Sequence, residues 1–171
     1  MSGGTGVSVQ QIIGTLTLLN DLHKQLLDIA EEKKQVIIKN DVEGLSQLMT
    51  KESRLLKQVA EVDEDRQQAT QQFILEKGIR SQLNLTVTEI ARLVFQAEER
   101  VELLRSKEEL TRTIEKLKKV NLQNQQLIQQ SLEFVDFSLN MFLGAEDDGF
   151  YQRPDQQHGS SRNKTFFDTK A

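Results

Sequence analysis

Residues 121–143 read NLQNQQLIQQSLEFVDFSLNMFL, and how they are read decides the fold. No glycine or proline interrupts them, and they form the last turns of a long helix. That helix changes character halfway. Asn121 to Gln130 is polar and glutamine-rich, with Leu127 and Ile128 as its apolar pair, whereas Ser131 to Leu143 is apolar on nearly every side. At 100° per residue the apolar positions fall into two stripes. One holds Ile128, Leu132, Val135, Leu139 and Phe142; the other, roughly opposite, holds Phe134, Phe137 and Met141. A helix on the edge of a bundle needs one apolar stripe, and a helix with two needs a second partner. The first stripe is expected to continue the bundle seam and pack internally. The second is expected to remain open for a partner, with Leu127 at its base.

The aromatic residues point the same way. The chain has nine, and seven lie at or after Phe134: Phe134, Phe137, Phe142, Phe150, Tyr151, Phe166 and Phe167. Aromatics are enriched where proteins bind one another, so this end reads as a binding end, although a helix sandwiched in its own core would show the same stripes. Charge narrows the partner. From Val120 to Gln152 there is no Lys, Arg or His, while Glu133, Asp136, Glu146, Asp147 and Asp148 are acidic. A helix meant for anionic lipid carries Lys and Arg on its polar face, so this surface suits protein.

Working back from this stretch, Leu103, Leu110, Ile114, Leu117, Asn121, Asn124 and Ile128 continue a seam at helical spacing. Two asparagines in an apolar seam cost stability but set register, the role expected of Asn121 and Asn124; a solvated gap is the alternative. Glu108 with Arg112 and Glu115 with Lys119 are i,i+4 pairs on a solvated face. Thr86-Val87-Thr88-Glu89 is a capping box that starts a short helix, and a break is expected near Phe95 to Glu99. Before it, Gly78 is a helix stop. Val9, Ile12, Leu16, Leu19, His23, Leu26, Ala30, Lys33 and Ile37 mark a first helix by their three-four spacing. His23 is expected as a helix residue with one ring nitrogen hydrogen-bonded. Asn40-Asp41 makes the turn, with Asp41 as N-cap, and so short a connection forces the next helix antiparallel. That helix turns polar in EVDEDRQQATQQ, residues 61–72, so the far end of the hairpin is expected to pack loosely.

The fold class is therefore all-α: an elongated antiparallel helical bundle or coiled coil of three long helices plus one short helix, with a disordered C-terminal tail. The expected divisions are a flexible start at 1–6, a helical domain at 7–143 with helices near 7–39, 42–77, 87–95 and 99–143, and a tail at 144–171 whose composition suits disorder. One proline, no tryptophan and 37% hydrophobic residues suit a narrow aliphatic bundle. A net charge of −4 disfavours nucleic acid. Without cysteine there is no disulfide framework or thiol chemistry. The GGTG at 3–6 lacks the preceding strand and following Lys-Ser/Thr of a phosphate loop, and two distant histidines assemble neither a metal cluster nor a catalytic pair. The N-terminus has no signal-peptide pattern and no stretch is long and apolar enough to span a membrane. The reading is a cytoplasmic protein with no cofactor and no metal, monomeric or weakly dimeric; enzyme chemistry has no constellation to carry it. A structural coiled-coil adaptor or homo-oligomerisation protein is the alternative.

Two segments carry a resemblance. KNDVEGLSQL at 39–48 and LKKVNLQNQQLIQQSLEFVDFSLNMF at 117–142, spaced as they are, resemble the FlgN family of flagellar type III export chaperones over about residues 8–143. The resemblance implies clients, the hook-associated proteins FlgK and FlgL of the hook–filament junction. Their C-terminal segments would be bound, kept from premature association and delivered to the export gate. It maps client binding to the end of the long helix, hence to Leu127, Phe134, Phe137 and Met141. It implies docking to the gate protein FlhA through an aromatic just past that helix, for which Tyr151 stands in the matching neighbourhood.

Overall fold

The computed structural model describes residues 7–79 and 85–143. They form four helices: α1, Val7–Ile38; α2, Val42–Glu76; α3, Val87–Leu93; and α4, Ala97–Leu143. No strand occurs among the described residues, so the architecture is all-α with three long helices and one short one, as the periodicity predicts. The start at 1–6 and the tail at 144–171, with its expected disorder, lie outside the described residues.

Local chemistry sets the helix ends. α1 stops because Asn40 takes a left-handed φ of 54°. The Asn40 and Asp41 N–H groups then donate to the carbonyls of Ile37 and Val36 at 3.1 and 2.9 Å, the paired closure of a Schellman turn. Asp41 immediately caps α2, accepting from the Gly44 N–H at 2.9 Å. A Cβ at Gly44 would lie 2.4 Å from an Asp41 carboxylate oxygen, so a larger residue there would make the capping side chain shift. α2 ends by the same device, with Gly78 at φ 72° and Gly78 and Ile79 donating to Leu75 and Ile74. The α3 capping box is present in both directions: Glu89 N–H donates to the Thr86 hydroxyl, and the Thr86 N–H donates to the Glu89 carboxylate at 2.7 Å.

Between α3 and α4 the chain breaks at Val94–Gln96, three residues that span the start of the expected interval. Val94 leaves helical conformation at ψ 122° because its side chain turns into the core, where it is 2% exposed. The Arg100 guanidinium donates to the freed Val94 carbonyl at 2.8 Å, so the break needs no proline.

The chain divides into two compact units, Met1–Gln130 and Ser131–Ala171. In the first, α1 and α2 form the antiparallel hairpin: Ser8 donates to Glu76 at one end, and Lys33 meets Glu52 at 2.9 Å toward the other. Up to Gln130, α4 runs parallel to α1, pairing Gln10 with Glu99, Asn20 with Thr113, and Ala30 with Asn124. α1 buries the stripe that its spacing marks, from Val9 through Leu16, Leu19 and Leu26 to Ile37. His23 is half-buried, with Nδ1 2.7 Å from the Leu19 carbonyl.

The expectation of a loose far end is wrong. That end holds the main core: Val9, Ile12, Ile13 and Leu16 of α1, Ala69 and Phe73 of α2, Ile90 and Ala91 of α3, Val94, and Leu103 of α4. α2 buries Ala69, Thr70, Phe73 and Ile74 at this end, and Ile90 and Ala91 of α3 complete the cluster around Ala69 and Phe73. Phe73, at 2% exposed, anchors this core; truncation to alanine costs about 3–5 kcal/mol at such sites. A second, smaller cluster of Leu19, Leu22 and Val62 lies further along the hairpin, with Leu110 of α4 packed against both.

Candidate functional site

Within the first unit α4 packs along a heptad row. Seven-residue steps from Leu103 pass through Leu110, Leu117 and Asn124 to Ser131 and Ser138. Burial follows that row: Leu103 is fully buried and Asn124 is 4% exposed, Leu110 and Leu117 are half-buried, and Thr113 and Val120 of the adjoining row are buried beside them. Polar pairs fix the contact with α1. The Thr113 hydroxyl donates to Asn20 Oδ1 at 2.6 Å, both side chains being buried. Asn124 Nδ2 donates to the Ala30 carbonyl at 2.8 Å, leaving its own Oδ1 buried without a partner. Asn121 is half-buried.

The row does not lead to Ile128, Val135 and Phe142, so the stripe expected to pack internally is not the continuation of the seam. Ile128 is 40% exposed and Leu132, Val135 and Leu139 are at least half exposed. In the second unit the described residues are the last turns of α4, and their apolar side chains are open on both stripes: Phe134, Phe137 and Met141 are 62–70% exposed, and Phe142 reaches 83%. The least exposed positions of these turns are Ser131 and Ser138, on the seam row itself. The three-four spacing of Phe134, Phe137 and Met141 gathers them on one face, and Leu127, about two turns earlier in the first unit, is half-buried. Leu132, Val135, Leu139 and Phe142 thus belong to the exposed surface with them. Tyr151, Phe150, Phe166, Phe167 and His158 lie outside the described residues.

Exposed apolar side chains gathered in this way are a common feature of contact sites. Glu133 and Asp136 give them an acidic border, and no cation lies between Val120 and Leu143. Among the described residues no group of three acidic, histidine or cysteine side chains is placed to hold a metal, and no helix is long and apolar enough to cross a membrane.

A helical hairpin that carries a long further helix, whose final turns are open and apolar, defines a helical binding protein. The particular kind follows from comparison: the model of the FlgN protein family matches residues 1–159, and the chain belongs to that family, which consists of flagellar export chaperones and not of enzymes. It is similar to the uncharacterized protein YvyG of Bacillus subtilis strain 168, with 30% identity over 166 residues that cover 96% of this chain and 100% of the relative. No solved structure gives a significant match. The resemblance read from residues 39–48 and 117–142 is borne out.

Proposed function

We propose that this chaperone holds the C-terminal segments of the hook-associated proteins FlgK and FlgL on the end of α4, keeps them from associating prematurely, and delivers them to the export gate in the cytoplasm. The observation that supports this reading most directly is the exposure of Phe134, Phe137 and Met141, at 70%, 62% and 65%, on an uninterrupted helix. An apolar helix face of this kind takes the apolar side of an amphipathic partner. Leu127 is proposed to share in client binding, and Asn121 and Asn124 to hold α4 in register against α1 within the first unit. Tyr151 is proposed to dock the loaded chaperone on FlhA. The test is a titration of the full chain with synthetic C-terminal segments of FlgK and FlgL by calorimetry. Saturable 1:1 binding is expected for at least one of them. Absence of binding to both, with the chain instead forming higher homo-oligomers, would replace this reading with that of a structural coiled-coil protein. Tyr151→Ala is expected to impair export while leaving the titration unchanged.

A further inference from the structure

Helix α2 carries a second heptad seam that the hairpin does not use. Its first seam, through Leu48, Leu55 and Val62, packs toward α1. About a third of a turn away, Val42, Ser46, Met49, Ser53, Leu56 and Ala60 follow a strict four-three alternation. All six are exposed, with Val42 at 78%, Met49 at 52% and Leu56 at 53%. None is charged, although the same stretch of helix carries Glu43, Lys51, Glu52, Arg54, Lys57 and Glu61 elsewhere on its circumference. An alternating four-three repeat is the spacing at which one helix reads another; an extended strand would repeat every second residue.

We propose that this seam joins two copies of the chain, their α2 helices antiparallel about a two-fold axis near Lys51. In that register the layers set Val42 against the second copy's Ala60, Ser46 against its Leu56, and Met49 against its Ser53, each layer recurring by symmetry. Every layer then places a large apolar side chain opposite a small one, which lets the helices approach closely and leaves no void. A parallel pair would set Met49 on Met49 and Ser53 on Ser53, alternating crowded layers with empty ones. Charge agrees with the antiparallel arrangement: Glu43 on the flank of the seam falls beside the second copy's Lys57, and the pair occurs twice. On the other flank Glu52 would face its own copy, but it is already held by Lys33 of its own α1 at 2.9 Å. The seam is short, about 27 Å at 1.5 Å per residue, and buries less than the roughly 1,200 Å² of a stable specific interface. The dimer is therefore a weak one that forms at high concentration.

Sedimentation velocity on the full chain, from about 1 to about 500 μM, tests this. A monomer–dimer equilibrium is expected, with the dimer prevailing only in the upper part of the range. Ser53→Arg, an exposed substitution that puts a bulky cation into the central layers, should weaken the dimer at least ten-fold with the melting temperature unchanged. Glu43→Lys and Lys57→Glu should each weaken it about five-fold, since each turns two attractive pairs into repulsive ones. The two together should restore it. A monomer throughout the range overturns the proposal, as does a dimer indifferent to Ser53→Arg or one abolished by Phe134→Ser with Phe137→Ser. Failure of the charge-swapped double variant to recover overturns the antiparallel register.

Discussion

Replacing Phe134 and Phe137 together by serine removes the two aromatic rings of the exposed face without touching the core. Full burial of a phenylalanine side chain is worth about 1.5–3 kcal/mol. The two rings are 70% and 62% exposed in the free protein, so about two-thirds of that gain is still open to a partner, or roughly 2–4 kcal/mol for the pair. At 1.4 kcal/mol per ten-fold change, the double variant should bind a client segment about 30- to 1,000-fold more weakly by calorimetry. Its thermal midpoint should stay within a few degrees of the parent, because neither ring supports a neighbour. Val135→Ser with Leu139→Ser, half exposed in the same turns, should also leave the fold intact and weaken binding by a smaller factor. Sequence periodicity alone assigns these two residues to the interior and makes the second variant unfold the helix end; their exposure reverses that expectation. Unchanged affinity in the aromatic variant would refute the assignment of the site. Collapse of the melting temperature would refute the assignment of its register.

Three further outcomes follow from the first unit. Thr113→Val should cost about 1–3 kcal/mol in chemical denaturation, because Asn20 Oδ1 is then left buried without its donor. Asn121→Leu with Asn124→Leu should raise the melting temperature, since Asn124 already buries an unpartnered oxygen, while broadening the species seen by light scattering as alternative registers open; a lower melting temperature with one sharp species would deny Asn121 and Asn124 the register role. Stability should fall on acidification. Burial raises the carboxyl of Asp63, but the hydrogen bonds from Arg66 and Gln67 and the charge of Arg66 outweigh it and hold that group below its ordinary value. The Thr86 N–H and hydroxyl lower Glu89 likewise. Groups with depressed folded-state values contribute fully above the unfolded value of about 4 and lose that contribution as pH drops below it, so urea midpoints measured from pH 6 to pH 3 should decline through that window and be flat above it.

What could be read from sequence was local. Asp41, Gly78 and the Thr86–Glu89 box act within a few residues of themselves, so the spacing of their partners is written in the chain. The core at the far end of the hairpin was not legible, because the residues that cover Phe73 come from α3 and from Leu103, well removed in sequence. The end of α4 misled for a different reason. Apolar spacing alone assigns Leu132, Val135, Leu139 and Phe142 to the interior, although they are at least half exposed, and it passes over Thr113, a buried polar residue of the seam. The second seam of α2 hides in the same way behind Ser46, Ser53 and Ala60.

The parallel pairing of α1 with α4 also bears on the order in which the molecule assembles. Within the hairpin Lys33 meets a residue only 19 positions away, whereas Thr113 reaches Asn20 across 93 positions and Asn124 reaches Ala30 across 94. Closing the larger loop costs more chain entropy, and contacts that are distant in sequence form later. The hairpin is therefore expected to form before α4 packs onto it, and α4 to be the first of the long helices to leave on partial opening. Amide protons of α4 should exchange with solvent well before those of α1, so the helix that ends in the binding surface is also the one whose attachment to the bundle is most readily renegotiated.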